Sequence, residues 1–178
     1  IAAGNQATAR TCTASDVVQI GIYAGKGSVV ESCTPAHATV GDVSAIEVGP
    51  GSVVRNCAID FWAKNGIVAG RDSRVIDCAI NDCDFAGIYV AEGASISGCT
   101  ISNGDGFGVY ALSKAKIDNC TITNCGGDGI RALNDCRITN NAIDDNGRIQ
   151  DDFHAGVRLL GNGNTVNDNS LRGNYYYG

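Results

Sequence analysis

Asn119-Cys120-Thr121-Ile122-Thr123-Asn124, followed by Gly127-Asp128-Gly129-Ile130, is one turn of a pattern that runs through the whole chain. The cysteine recurs at 21-residue intervals as Cys99, Cys78 and Cys57, and Cys33 and Cys12 extend the series after steps of 24 and 21. Asn141 and Asn169 continue it in the other direction after steps of 21 and 28. Self-similarity at such a period marks a solenoid, in which each repeat buries its apolar face only against its neighbours. Other phases keep the same step. Two residues after the anchor come Ile59, Ile80, Ile101, Ile122, Ile143 and Leu171. About ten after it come Ile22, Ile46, Ile67, Ile88, Val109, Ile130 and Val157, and near the end of the coil come Val30, Val54, Val75, Ile96, Ile117, Ile138 and Val166.

Within each coil the apolar positions alternate with polar ones, the period of a strand with one buried face. β-branched residues dominate the inward phases. Glycine, Asn and Asp mark the corners, where a positive φ is often needed. With 24 glycines in 178 residues, a helical repeat of this length is a poor rival. The expected fold is all-β: a parallel β-helix of about eight coils, three short strands each, forming a single domain over residues 1–178.

Composition narrows the function. The net charge is −6 and the 13 basic residues are scattered, which argues against nucleic acid and anionic membranes as main partners. No apolar run approaches membrane-spanning length. A chain that opens at Ile1 reads as a trimmed precursor, a processed mature form or an excised piece. Six of the nine cysteines fall in one inward column and read as small buried thiols filling a corner. Cys136 stands where other coils carry Ser28, Ser52, Ser73, Ala94 and Ala115, so it reads as core. Cys83 and Cys125 follow an anchor by five residues, which leaves Cys78–Cys83 and Cys120–Cys125 bonds open. Zinc ligand spacings are absent.

The coil residues quoted above resemble the parallel β-helix repeats of the pectin-lyase-like superfamily, and the chain is similar to its uncharacterised bacterial right-handed β-helix repeat proteins. The resemblance implies a right-handed coil. It does not imply one activity, because the superfamily includes pectate lyases, polygalacturonases, alginate epimerases and phage tailspikes as well as structural and binding members. Gln150-Asp151-Asp152 resembles the paired aspartates of polygalacturonases, but the family's other motifs are missing. The weak catalytic candidates are therefore Asp151, Asp152, His154 and Arg158, in or beside the loop 144–155, the longest insertion in the repeat. Asp84 and Asp105 share a phase on adjacent coils, with Asp82 and Asp128 close by. Calcium would relieve their repulsion, though corner aspartates also simply cap turns. No other cofactor is expected.

A binding face is the alternative. Tyr23, Tyr89 and Tyr110 occupy one outward phase, continued by Arg131 and Arg158. Aromatic rings in a line suit sugar faces and arginine suits acidic sugars. At the ends, Ile1 and Ala3 fall in the phase that follows Tyr175, Tyr176 and Tyr177, so copies could stack head to tail into an open fibre. Three readings follow: an extracellular or cell-surface structural subunit that polymerises with itself, a carbohydrate-binding or adhesin-like module, and a lyase or hydrolase acting on acidic polysaccharide.

Overall fold

The computed structural model describes residues 1–15, 20–38, 43–62, 64–148 and 154–175. The chain winds into three sheets of eight strands, one strand per sheet from every coil. The first sheet runs from Ala2–Ala3 through Ser44–Val48, Asn65–Ala69, Ala86–Val90 and Phe107–Ala111 to Ile130–Ala132 and Val157–Leu159. The second runs from Thr8–Arg10 to Thr165–Asn167, and the third from Thr13–Ser15 to Ser170–Arg172. All pairings are parallel and in register, as Ile67↔Ile88↔Val109 shows. About six turns keep the regular length of 21 residues, and steps of 24 and 28 lengthen the rest. Among the described residues no helix is long and apolar enough to cross a membrane.

The rows expected to point inward do so. Ile22, Ile46, Ile67, Ile88, Val109 and Ile130 are fully buried, as are Val30, Val54, Val75, Ile117 and Ile138. Ile59, Ile80, Ile101, Ile122 and Ile143 complete one continuous core. Burial of this kind is the dominant favourable term in folding, at roughly 25 cal/mol per Å² of apolar surface. It also requires glycine at one corner. A Cβ on Gly66, Gly87, Gly108 or Gly129 would collide with the isoleucine Cγ2 of the third sheet and with the carbonyl of the next coil's glycine.

Each corner is built from two consecutive residues. The first takes a positive φ: Asn56 (53°), Asp77 (50°), Gly98 (64°), Asn119 (53°) and Asn140 (58°) at one corner. The second directs its backbone N–H along the axis, where a side chain of the next coil accepts it. Cys12 N donates to Cys33 Sγ at 3.4 Å and Cys33 N to Cys57 Sγ at 3.5 Å. Where the cysteine column becomes asparagine, Cys120 N donates to Asn141 Oδ1 at 2.8 Å and Asn141 N to Asn169 Oδ1 at 2.9 Å. A second corner does this with Ser28 N to Ser52 Oγ and Ser52 N to Ser73 Oγ, and later Cys136 N to Asn164 Oδ1. The third uses Cys125 N to Asn146 Oδ1 and Asn146 N to Asn174 Oδ1. The cysteines are thus more than filler: where the corner side chain has an acceptor atom it takes the preceding coil's N–H, and where it is alanine that N–H turns to a carbonyl of its own coil, as Ala94 N does to Ala91 O.

All nine cysteines are free, so neither bond left open by the sequence forms. Burial pushes the Cys33 thiol up to about 11 and the Cys125 thiol up to about 12, which holds them protonated and unreactive at neutral pH.

Asn141 is buried, takes the Cys120 N–H, and returns its own Nδ2 to Ile117 O at 3.1 Å and Asn169 Oδ1 at 2.9 Å. Asn141→Leu leaves the Cys120 N–H buried and unsatisfied, a cost of about 1–3 kcal/mol. Urea unfolding should show a loss of that size, and a smaller one for Asn141→Cys, which restores the residue of the preceding coils.

Candidate functional site on the first sheet

Strict register turns each outward position of the first sheet into a row along the axis. One row reads Tyr23, Glu47, Val68, Tyr89, Tyr110, Arg131, Arg158. Tyr89 and Tyr110 stack with their rings 5.3 Å apart and 7° from parallel. Tyr23 is exposed but lies apart from them, because Glu47 and Val68 intervene. The outward row expected from sequence is therefore continuous from Tyr89 to Arg158 and leaves Tyr23 apart from it.

A second row lies beside it, at the start of the strands: Ser44, Asn65, Ala86 and Phe107 in register, then Asp128 one coil on. Phe107 packs against Tyr110 at 5.7 Å and edge-on against Phe85 at 5.6 Å, so four aromatic rings form one cluster. The Arg131 guanidinium caps it, with Cζ 4.0 Å from the Phe107 ring centroid, a cation–π contact.

Asp128 holds this end together. Its carboxylate is fully buried. Oδ2 accepts from Arg131 Nε at 2.6 Å, Oδ1 accepts from Ala155 N at 2.8 Å, and His154 Nδ1 lies 3.5 Å from Oδ1. His154 is itself buried and sits edge-on to Phe107 at 6.4 Å. His154 Nδ1 makes no hydrogen bond at this distance, so the imidazole lies beside the carboxylate without being tied to it.

The other end of the cluster opens into a trough of about 510 Å³, within the usual size range of ligand pockets. Ser44 and Asn65 lie in it, Glu47 and Val68 on one side, Val43 and Lys64 on the other, and Phe85 and Tyr89 toward the aromatic cluster. Both Ser44 and Asn65 are buried.

The remaining expected sites fare unevenly. Asp151 and Asp152 lie outside the described residues. His154 is brought near Asp128, 3.5 Å from its Oδ1. Asp128 leaves the acidic group assigned to calcium, since its oxygens face Arg131, the Ala155 N–H and His154. Among the described residues no three His, Cys, Asp or Glu side chains are arranged to hold a metal ion. The carboxyl of Asp84 is held above its usual range, by burial first and then by repulsion from Asp105 and Asp82. At the ends, Ala3 pairs with Ala24, Ile1 and Tyr175 are exposed, and Tyr176 and Tyr177 lie outside the described residues.

A family model of the right-handed β-helix region matches residues 44–178. The chain belongs to the right-handed β-helix family. No curated protein matches it. Among solved structures, this β-helix is similar to the periplasmic alginate epimerase AlgG, with a TM-score of 0.62 and 11% identity over 96% of this chain and 50% of that one. It is also similar to the enzymatically active domain of bacteriophage CBA120 tailspike protein 2, with a TM-score of 0.60 and 11% identity over 92% of this chain and 32% of that one. The chain thus spans half or less of the length of these proteins, and at such identities the likeness shows the fold alone.

Because the Asp84 carboxyl gains protons more readily in the folded state than in the unfolded one, its charge works against folding above its folded pKa and this penalty fades as pH falls through it. Asp84→Asn should therefore raise the melting temperature at pH 7, with the difference from the parent closing in acid. Calcium held at this corner would cancel the gain, because the parent would then melt higher in millimolar calcium.

Proposed function

We propose that this β-helix binds a polysaccharide laid along the outer face of its first sheet, outside the cytoplasm. The observation that carries the reading is the Tyr89–Tyr110 stack with Phe107 beside it and Arg131 fixed over Phe107. Pyranose rings carry flat C–H faces that pack on aromatic rings, and their substituents need polar partners at the edges. The rows supply both. Arg131 and Arg158 are adjacent in register, which suits a chain bearing carboxylates. AlgG, which shares the fold, is named for its action on alginate, itself an acidic polysaccharide. End-to-end assembly into a fibre draws on the exposed Ile1 and Tyr175 at the two ends and on nothing in this face.

Titration calorimetry with acidic and neutral oligosaccharides tests the reading. Tyr110→Ala should weaken binding about tenfold, the worth of one good aromatic contact, without changing the melting temperature by more than a few degrees. Absence of binding to any glycan on a broad array would overturn it.

One observation favours a second reading, in which the same face also carries out chemistry. The His154 imidazole is buried beside the aromatic cluster, its Nδ1 3.5 Å from Asp128 Oδ1 and without a hydrogen-bond partner, a placement that binding alone does not require. Under this reading the protein releases reducing ends or unsaturated products from the polysaccharide it binds. His154→Gln should then abolish turnover while leaving affinity within about twofold; a wild-type protein that binds but never turns over refutes it.

A further inference from the structure

The trough beyond Tyr89 contains an unusual group. Asn65 is only 5% exposed, and its Oδ1 accepts no hydrogen bond. Its Nδ2 donates to Ser44 Oγ at 3.3 Å, which fixes the amide plane and leaves Oδ1 as the open valence. A buried acceptor without a donor costs free energy comparable to a lost hydrogen bond, so the site is complete only when something brings an N–H or O–H. Ile20, Val43 and Val68 line the same trough and Phe85 and Tyr89 lie at its aromatic end.

An amide N–H matches this set better than a hydroxyl does. A hydroxyl brings a donor together with two lone pairs that need donors of their own. In an acetamido group the N–H donor lies on the opposite side of a trans amide from the carbonyl, so the N–H and the methyl can enter the trough while the carbonyl oxygen stays in water at its mouth. The open acceptor takes the N–H, the three aliphatic side chains take the methyl, and the ring of the sugar falls toward Tyr89. We propose that the trough is a subsite for a 2-acetamido sugar, with Asn65 the residue that selects it. The proposal rests on the polysaccharide reading of the first sheet and adds the identity of one unit. Asn65 and Asp128 are three coils apart in one row, or roughly 14 Å at the spacing of parallel strands. The ligand is therefore a mixed polymer, with an acetamido sugar at the trough and an acidic sugar at the arginines.

Two hexasaccharides separate this from the broader reading: one alternating glucuronate with N-acetylglucosamine, the other alternating glucuronate with glucose. By calorimetry the wild-type protein should bind the first about tenfold more tightly, the worth of one buried hydrogen bond. Asn65→Ala should bring the two within about twofold of each other while keeping the affinity for the glucose-containing chain, with an unchanged near-ultraviolet circular dichroism spectrum. Val68→Ser, which leaves Asn65 in place and alters only the wall, should lower the preference by a smaller factor. Equal wild-type affinities overturn the acetamido subsite and leave polysaccharide binding standing, as does a preference that persists in a folded Asn65→Ala protein. Binding of neither hexasaccharide overturns the subsite, and the array then decides the broader reading.

Discussion

Everything in this molecule depends on what happens to a backbone N–H at a corner. Along the strands each N–H meets a carbonyl of the neighbouring coil. At a corner the chain turns through a residue with positive φ, and the next N–H points along the axis with no carbonyl opposite it. A thiol, hydroxyl or amide oxygen from the coil beyond accepts it instead. A buried N–H left without a partner would cost about 1–3 kcal/mol, and eight coils offer many such sites. The corner therefore favours Asn, Asp or Gly for the turn, though Thr11, Ser32 and Lys114 also take it, and then a small side chain, with an acceptor atom at most coils and alanine at Ala94 and Ala115. The switch from cysteine to asparagine in the last coils keeps the rule. An asparagine accepts one N–H and still has two donors: Asn141 and Asn146 each give one to a backbone carbonyl of the preceding coil at 3.1 Å and the other to the asparagine Oδ1 of the next coil.

Rigid corners have a consequence for the outside. Because the register cannot slip without breaking every ladder at once, side chains of equal phase are held in straight rows at the coil spacing. A parallel aromatic stack such as Tyr89 on Tyr110 is then set by the scaffold, with little rotamer entropy left to lose when a ligand lands on it. The same rigidity lets a fully buried carboxylate such as Asp128 survive, since its partners come from elements that cannot drift apart.

The repeat, the inward rows and the Tyr89–Tyr110 pair were all legible in the sequence, because each depends only on counting in steps of the coil. What escaped depends on insertions or on the bend at a strand's start. Ala155, which donates to Asp128, follows it by 27 residues rather than 21, so His154 read as a neighbour of Asp151 and Asp152. By its nearness in the repeat Asp128 groups with Asp82, Asp84 and Asp105. Its spacing of three from Arg131 was the available clue to its ion pair. Asn65 and Ser44 gave no signal: polar residues at the head of a strand ordinarily face water, and these two are covered.

That covering explains why the two ends of the face differ. At Phe107 the row beside the tyrosines is filled by an aromatic ring, and at Asp128 by an acid already satisfied by its own neighbours. At Asn65 the same row is filled by an amide whose donor is used and whose acceptor is open. The row accepts a small apolar residue, as Ala86 one coil on shows. An open acceptor kept where an alanine fits is a cost in stability, and such costs are characteristic of positions shaped by what they bind.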